Sequence, residues 1–294
     1  MPNETVLLAG RPVHRMGFGA MQLPGPGVFG PPRDRAQAVA VLRRAVESGV
    51  DHIDTSQFYG PDVANELIRE ALHPYPADLV LVSKVGAARD DSGRWLAAQR
   101  PEELRAGIEA NLRSLGLEQV PAVNLRRHPD GSVPLEAQIG ELVACRDEGL
   151  IGGVGLSNVT LAEYRAARRL TEVVCVQNAY NLVSRDGSDL FEVCVADGVP
   201  FVPFFPLGSA FSADNAVLQA PAVRQTAARL GATPAQIALA WLLALAGNVL
   251  LIPGTSSLVH LAENLAAAEV ELDAAAMQAL AAPELVTAEP GQYD

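Results

Sequence analysis

Eight short apolar runs of strand length alternate along this chain with longer stretches of helical period, and that alternation constrains the fold more than any other feature. The runs lie at 17–20, 51–55, 79–84, 120–126, 151–156, 173–177, 200–204 and 249–252; amphipathic stretches include 35–48, 101–115, 134–148, 161–170 and 234–245. Several of these open on a proline at a first-turn position, where the missing N–H costs nothing. Strands alternating with helices imply an α/β protein with a parallel sheet, and eight such units imply a closed (β/α)8 TIM barrel whose ligands bind at the carboxyl ends of the strands. The opening TVLLAGRPVHR reads as an N-terminal β-hairpin turning at Ala9-Gly10-Arg11. No linker, low-complexity tract or repeat marks a second domain, so residues 1–294 are expected to form one domain with a loosely held tail after Leu280. The rival is a doubly wound open sheet. Against it, no GxGxxG follows the first strand: Gly25-Pro26-Gly27 runs into Val28-Phe29-Gly30-Pro31-Pro32, a segment that reads as a lip over a pocket.

Hydrophobic residues make up 49% of the 294, enough for one large core without disulfides. A net charge of -12 leaves no basic face for a phosphate backbone, which argues against a nucleic-acid partner and requires any anionic ligand to be met by local groups. Cys145, Cys175 and Cys194 follow no CxxC or Cys/His spacing, so no metal site is expected and the thiols read as buried and reduced. No apolar run approaches the roughly 18 residues of a membrane helix, and the first residues lack the layout of an export signal; a cytoplasmic protein with no membrane partner is expected. Nothing in the sequence indicates an oligomeric state.

Of the 22 basic residues, only Lys84 is a lysine. It closes the apolar run LVLVSK, where a charge without a partner would be costly. In HIDTSQFYG, Asp54 ends the second strand and Tyr59 follows in the next loop, so on a barrel a carboxylate, a phenol and an ammonium reach the same rim. A phenol is a poor acid near neutral pH unless a nearby cation favours its phenolate. Lys84 would be that cation, and Asp54 would keep it charged and aimed.

GFGAMQL, HIDTSQFYG, LVSKVG, GLSN, VQNAYN and IPGTSSLVHLAEN together resemble the aldo-keto reductases along essentially the whole chain, and GFGAMQL with GPGVFGPPRDR is similar above all to the branch that reduces pyridoxal. The resemblance implies a catalytic set of Asp54, Tyr59 and Lys84. It also implies a histidine ending the fourth strand, but VPAVNLRRHPD places Arg126 there, with His128 two residues on. Arg126 is expected to serve as an electrostatic and orienting group for the carbonyl oxygen, with His128 as the alternative. The implied cofactor is NADPH. Ser157, Asn158 and Gln177 would bond the nicotinamide carboxamide, with Phe204 stacking on the ring; Gly19, Ala20, Met21, Asp54, Phe205, Pro206, Leu207 and Gly208 are also assigned to the cofactor. From Pro253 onward a Gly/Thr/Ser turn leads into a helix start, which suits an anion. By resemblance Pro253, Gly254, Thr255, Ser256, Ser257 and His260 hold the adenosine 2′-phosphate while Glu263 and Asn264 reach the adenine, although Gly254 and His260 stand where many relatives carry lysine and arginine. Thr255 or Ser257 could instead cap the helix. Phe29, Phe58 and Trp95, in loops after the first three strands, could wall a pocket for a flat ring beside His128.

The expected reaction is hydride transfer from NADPH to a small carbonyl substrate with Tyr59 as general acid, pyridoxal to pyridoxine being the leading pair. The alternatives are a ketoreductase of a deoxysugar or another secondary metabolite, and a weakly catalytic NADPH-binding regulatory module.

Overall fold

The computed structural model describes residues 4–128, 132–208 and 215–281, so the tail beyond Ala281 lies outside the described residues. Thr5–Leu8 (β1) and Arg11–His14 (β2) pair antiparallel around Ala9-Gly10, both at positive φ, as a two-residue turn between twisted strands requires. Phe18–Gly19 (β3), His52–Asp54 (β4) and Val80–Val85 (β5) are followed by Ala87–Arg89 (β6) and Trp95–Ala97 (β7), then by Ala122–Arg126 (β8), Val154–Ser157 (β9) and Val173–Gln177 (β10). Six of them form a parallel sheet in the order β10-β9-β8-β5-β4-β3. That order follows the chain without reversal, so there is no switch point of the kind a doubly wound sheet would have. β6 and β7 form a separate antiparallel pair, which puts Trp95 on a strand rather than in the irregular loop expected there.

Two expected strands are reduced to isolated parallel bridges: Phe201 joins Val176 on one side and Val249 on the other, Phe204 joins Ala179, and Leu251 joins Met16. Pro200, Pro203 and Pro253 fall in or beside these segments, and proline cannot donate to a ladder. The helices are Arg35–Glu47 (α1), Val63–Leu72 (α2), Pro101–Leu115 (α3), Leu135–Asp147 (α4), Leu161–Arg168 (α5), Ser188–Ala196 (α6), Ala216–Gln219 (α7), Pro221–Leu230 (α8), Pro234–Leu245 (α9), Leu258–Ala266 (α10) and Ala274–Ala281 (α11). Asp34 caps α1, and Thr160 and Thr233 form capping boxes with Glu163 and Gln236. Proline opens α3 and α9 as expected and also opens α8, whereas Pro134 sits one residue outside α4 as its cap.

Side chains alternate across each strand, which sorts the sheet into an inner and an outer face. Inside, Leu8 and Val13 of the β1–β2 pair pack with Val80, Val82, Ala122, Cys175, Val202 and Leu250, filling the end of the sheet where the strands begin. Two residues on, at the opposite end, the same inner faces carry Lys84 and Gln177, and β8 carries Asn124 and then Arg126. Larger apolar clusters lie between the strands and the helices. The inner face is tight: a Cβ on Gly155 would come 1.9 Å from Asn124 Oδ1 and 2.9 Å from Cys175 Sγ, so β9 needs glycine there.

All three cysteines are free and buried. Burial pushes Cys145 up to about 11 and Cys175 and Cys194 up to about 12, so none is a thiolate near neutral pH. Among the described residues, no single helix is long and apolar enough to cross a membrane, and no group of three or more His, Cys, Asp or Glu could hold a metal ion.

Candidate active site

Parallel register brings the ends of successive strands to one rim: Gly19 lies beside Asp54, Lys84 beside Asn124, and Ser157 beside both Arg126 and Gln177. Lys84 Nζ donates to Asp54 Oδ1 at 2.5 Å and to the Thr55 carbonyl at 3.1 Å, and it stands 4.9 Å from the centroid of the Tyr59 ring. Asp54, Tyr59 and Lys84 are each only 5% exposed, so the pair works where water screens little. Burial by itself would lower the Lys84 ammonium, but the charges of Asp54 and Tyr59 outweigh it and hold Lys84 above the usual lysine value. The second oxygen of Asp54 accepts from Gln177 Nε2 at 2.8 Å. The expected assignment of Gln177 to the cofactor carries no hint of this bond, which spans 123 residues of sequence.

A buried polar network holds the loop that carries Tyr59. Thr55 Oγ1 donates to Asn65 Oδ1 (2.8 Å), and Asn65 Nδ2 donates to Asn111 Oδ1 and Ser114 Oγ (2.9 Å each). Asn111 Nδ2 returns to Gln57 Oε1 (3.0 Å), two residues before Tyr59. Asn65 and Asn111 are fully buried on α2 and α3, so replacing Asn65 by leucine strands several of these groups at once. That variant is expected to lose about 3 kcal/mol in denaturant unfolding. A loss below about 1 kcal/mol would mean that the network does not hold the loop.

Arg126 ends β8 partly buried, with Gln99 Nε2 fixing its carbonyl at 2.8 Å. Its guanidinium carbon lies 5.2 Å from the Trp95 ring centroid. Burial holds this guanidinium below the usual arginine value, with Tyr59 offsetting part of the shift. His128 lies exposed beyond the end of β8. Phe58 is fully buried and meets Tyr59 and Trp95 edge-on at 5.3 and 5.6 Å, so it backs those rings from behind. Phe29 lies on the lip, where Arg89 stacks 5.3 Å from its centroid.

Among the residues expected at the cofactor, Ser157 and Gln177 are buried at the strand ends while Asn158 is exposed and left-handed, at φ 62°. Asn178, not foreseen, fixes that bend by accepting from Val159 N–H (3.1 Å) and donating to the Val159 carbonyl (2.7 Å). Ala20, Met21 and Gln22 form a short helical turn directly after β3. The Phe204 and Phe205 rings meet edge-on at 5.1 Å, ahead of Pro206, Leu207 and Gly208, all partly exposed. Across the rim, Ser257 takes the capping role on α10 by accepting from His260 N–H (3.4 Å), while Thr255 Oγ1 accepts from Ser257 N–H (3.0 Å) in the turn before the helix. Ser256 and His260 remain exposed, Glu263 is partly exposed and Asn264 is buried. Gly254 has a steric reason: a Cβ there would come 2.6 Å from the Gly19 carbonyl oxygen.

The sequence model of the Aldo/keto reductase family matches residues 15–283. Over 277 residues the chain is 49% identical to pyridoxine 4-dehydrogenase of Escherichia coli strain K12, spanning 92% of this chain and 95% of that protein. It is 38% identical to an uncharacterized oxidoreductase of Schizosaccharomyces pombe over 269 residues, 91% of this chain and 86% of the other. Among solved structures, a thermostable aldo-keto reductase in complex with the inhibitor epalrestat is similar at a TM-score of 0.80 and 29% identity, covering 96% of this chain and 99% of that one. An aldo/keto reductase from Klebsiella pneumoniae in complex with NADP and acetate is similar at 0.79 and 26% identity, covering 94% of each chain. The chain belongs to the aldo/keto reductase family and is an oxidoreductase.

Proposed function

We propose that this protein reduces a small aldehyde or ketone to the alcohol with NADPH, and that its substrate is pyridoxal, converted to pyridoxine. The observation that carries the reading is the buried Asp54–Lys84 pair beside the Tyr59 phenol. Asp54 keeps Lys84 charged. Lys84 favours the negative charge that develops on the Tyr59 oxygen as its proton leaves for the carbonyl oxygen. Arg126 adds a second positive charge beside the position where the alkoxide forms. The 49% identity to a pyridoxine 4-dehydrogenase supports the choice of substrate.

The residues present fit a dinucleotide. α10 has no acidic side chain in its first turn, so its free N–H groups, with Ser256 and His260, favour a phosphate. Gln177, its Nε2 engaged by Asp54, would offer Oε1 to the carboxamide beside Ser157 and Asn158, and Phe204 would lie against the ring. NADPH, when bound, supplies the hydride. The same reading takes residues 1–294 as one domain and the six-stranded sheet, with the bridged segments around Phe201 and Val249–Leu251, as the staves of a closed (β/α)8 barrel behind an N-terminal hairpin; the bridge from Leu251 to Met16 supports the closure. It also places the protein in the cytoplasm, a setting that three unpaired thiols suit.

Protein loaded with NADPH and mixed with pyridoxal or 4-nitrobenzaldehyde is expected to lose the absorbance of the reduced nicotinamide in a single turnover. No loss with either aldehyde would overturn the reading in favour of a binding module.

A further inference from the structure

Two guanidinium groups of different standing lie against the Trp95 ring. Arg89, 4.1 Å from the ring centroid, is engaged through four hydrogen bonds: it donates to the carbonyls of Gly93 (2.7 and 2.9 Å), Val28 (3.0 Å) and Gly27 (2.9 Å), tying the lip to the β6–β7 pair. Arg126, 5.2 Å from the same centroid, makes no side-chain hydrogen bond or ion pair among the described residues. Its neighbour Arg127 shows what a structural arginine does in this strand end, bonding Glu163 (3.0 Å), the Val133 carbonyl (3.2 Å) and Gln138. A partly buried fork of five N–H donors without acceptors is costly, and stacking on Trp95 orients the fork without satisfying it. The charge count points the same way. Lys84 is neutralised by Asp54, so Arg126 leaves the site with one positive charge in excess, in a chain whose overall charge is -12.

We propose that Arg126 selects planar aromatic aldehydes that carry an ionised oxygen ortho to the carbonyl, holding that oxygen while Tyr59 serves the carbonyl oxygen. This rests on the reductase reading and adds to it: a neutral aldehyde draws on Arg126 only as its alkoxide develops, whereas an anionic one also satisfies the free fork from the moment it binds. The pocket walls suit a flat ring, with Trp95 beneath the guanidinium and Phe58 fixing Trp95 and Tyr59 edge-on.

The test compares salicylaldehyde with 2-methoxybenzaldehyde, which share a ring and an ortho oxygen but differ in whether that oxygen can ionise. With NADPH the native protein is expected to favour salicylaldehyde in kcat/KM by roughly tenfold or more, the effect of one charge-assisted hydrogen bond. The preference should grow as pH rises through the ionisation of the phenol. Arg126→Met should slow both aldehydes and bring the ratio near one, and Arg126→Lys should restore part of it. Independently of turnover, salicylaldehyde bound to protein loaded with NADP+ should show the phenolate absorption band at a pH where the free compound does not, and Arg126→Met should abolish the band. Parity between the aldehydes in the native protein, or a ratio and band that survive Arg126→Met, would overturn the proposal. If neither aldehyde oxidises NADPH the reductase reading fails, and the phenolate band still decides the role of Arg126.

Discussion

Replacing Tyr59 by phenylalanine is expected to cut carbonyl reduction by about 10³-fold, the usual worth of a well-placed general acid, while NADPH affinity shifts by less than about threefold. The ring is buried against Phe58, and phenylalanine keeps that edge-on contact, so the substitution removes the hydroxyl and little else. A kcat close to that of the native protein would remove Tyr59 as the acid. A large loss confined to KM would instead make the phenol a binding group. Nicotinamide fluorescence measures the affinity and stopped-flow absorbance the transfer.

The second large effect is on stability as well as rate. Lys84→Met leaves the Asp54 carboxylate buried with only Gln177 Nε2 as a side-chain donor, and breaking a buried pair from one side costs about 3–5 kcal/mol. The double variant Asp54→Asn with Lys84→Met should recover much of that stability without recovering activity, since methionine supplies no charge beside Tyr59. Recovery of activity together with stability would show that the pair acts only through the fold. The pH dependence has a definite sign. Lys84 sits above the usual lysine value in the folded protein, so the contribution of the pair is fully present below the unfolded lysine value and is lost as pH rises through the folded one. Thermal unfolding of the native protein and Lys84→Met should therefore differ by a constant amount near neutral pH and converge only in strong alkali.

Much of this site can be read from local order in the sequence. Asp54, Lys84, Arg126, Ser157 and Gln177 each close an apolar run, and parallel strands bring such endings to one rim whatever the details of packing. Helices α3 and α9 and strand β10 also fall where the periodicity places them. The rest depends on partners distant in sequence or on short signals. The bond from Gln177 to Asp54 exists only after the sheet curls. Buried Asn65 and Asn111 sit in helices where a polar residue ordinarily faces water. The β6–β7 pair has three residues a side, too few for an alternating pattern to register, although Asp90 organises its turn by accepting from the N–H groups of Ser92 and Arg94 (2.9 Å each). The segments at 200–204 and 249–252 have the apolar content of strands, yet they pair only through isolated bridges, with Pro200 and Pro203 in the first and Pro253 directly after the second.

The solitary lysine has one more consequence, for the compounds the protein handles. Aldehydes condense with neutral primary amines to give imines, and the nitrogen must have a free lone pair to attack. Here the sole side-chain amine spends its lone pair on a proton that Asp54 stabilises, while arginine supplies every other basic side chain. A reactive carbonyl can therefore dwell at this rim without becoming tethered to the protein that processes it.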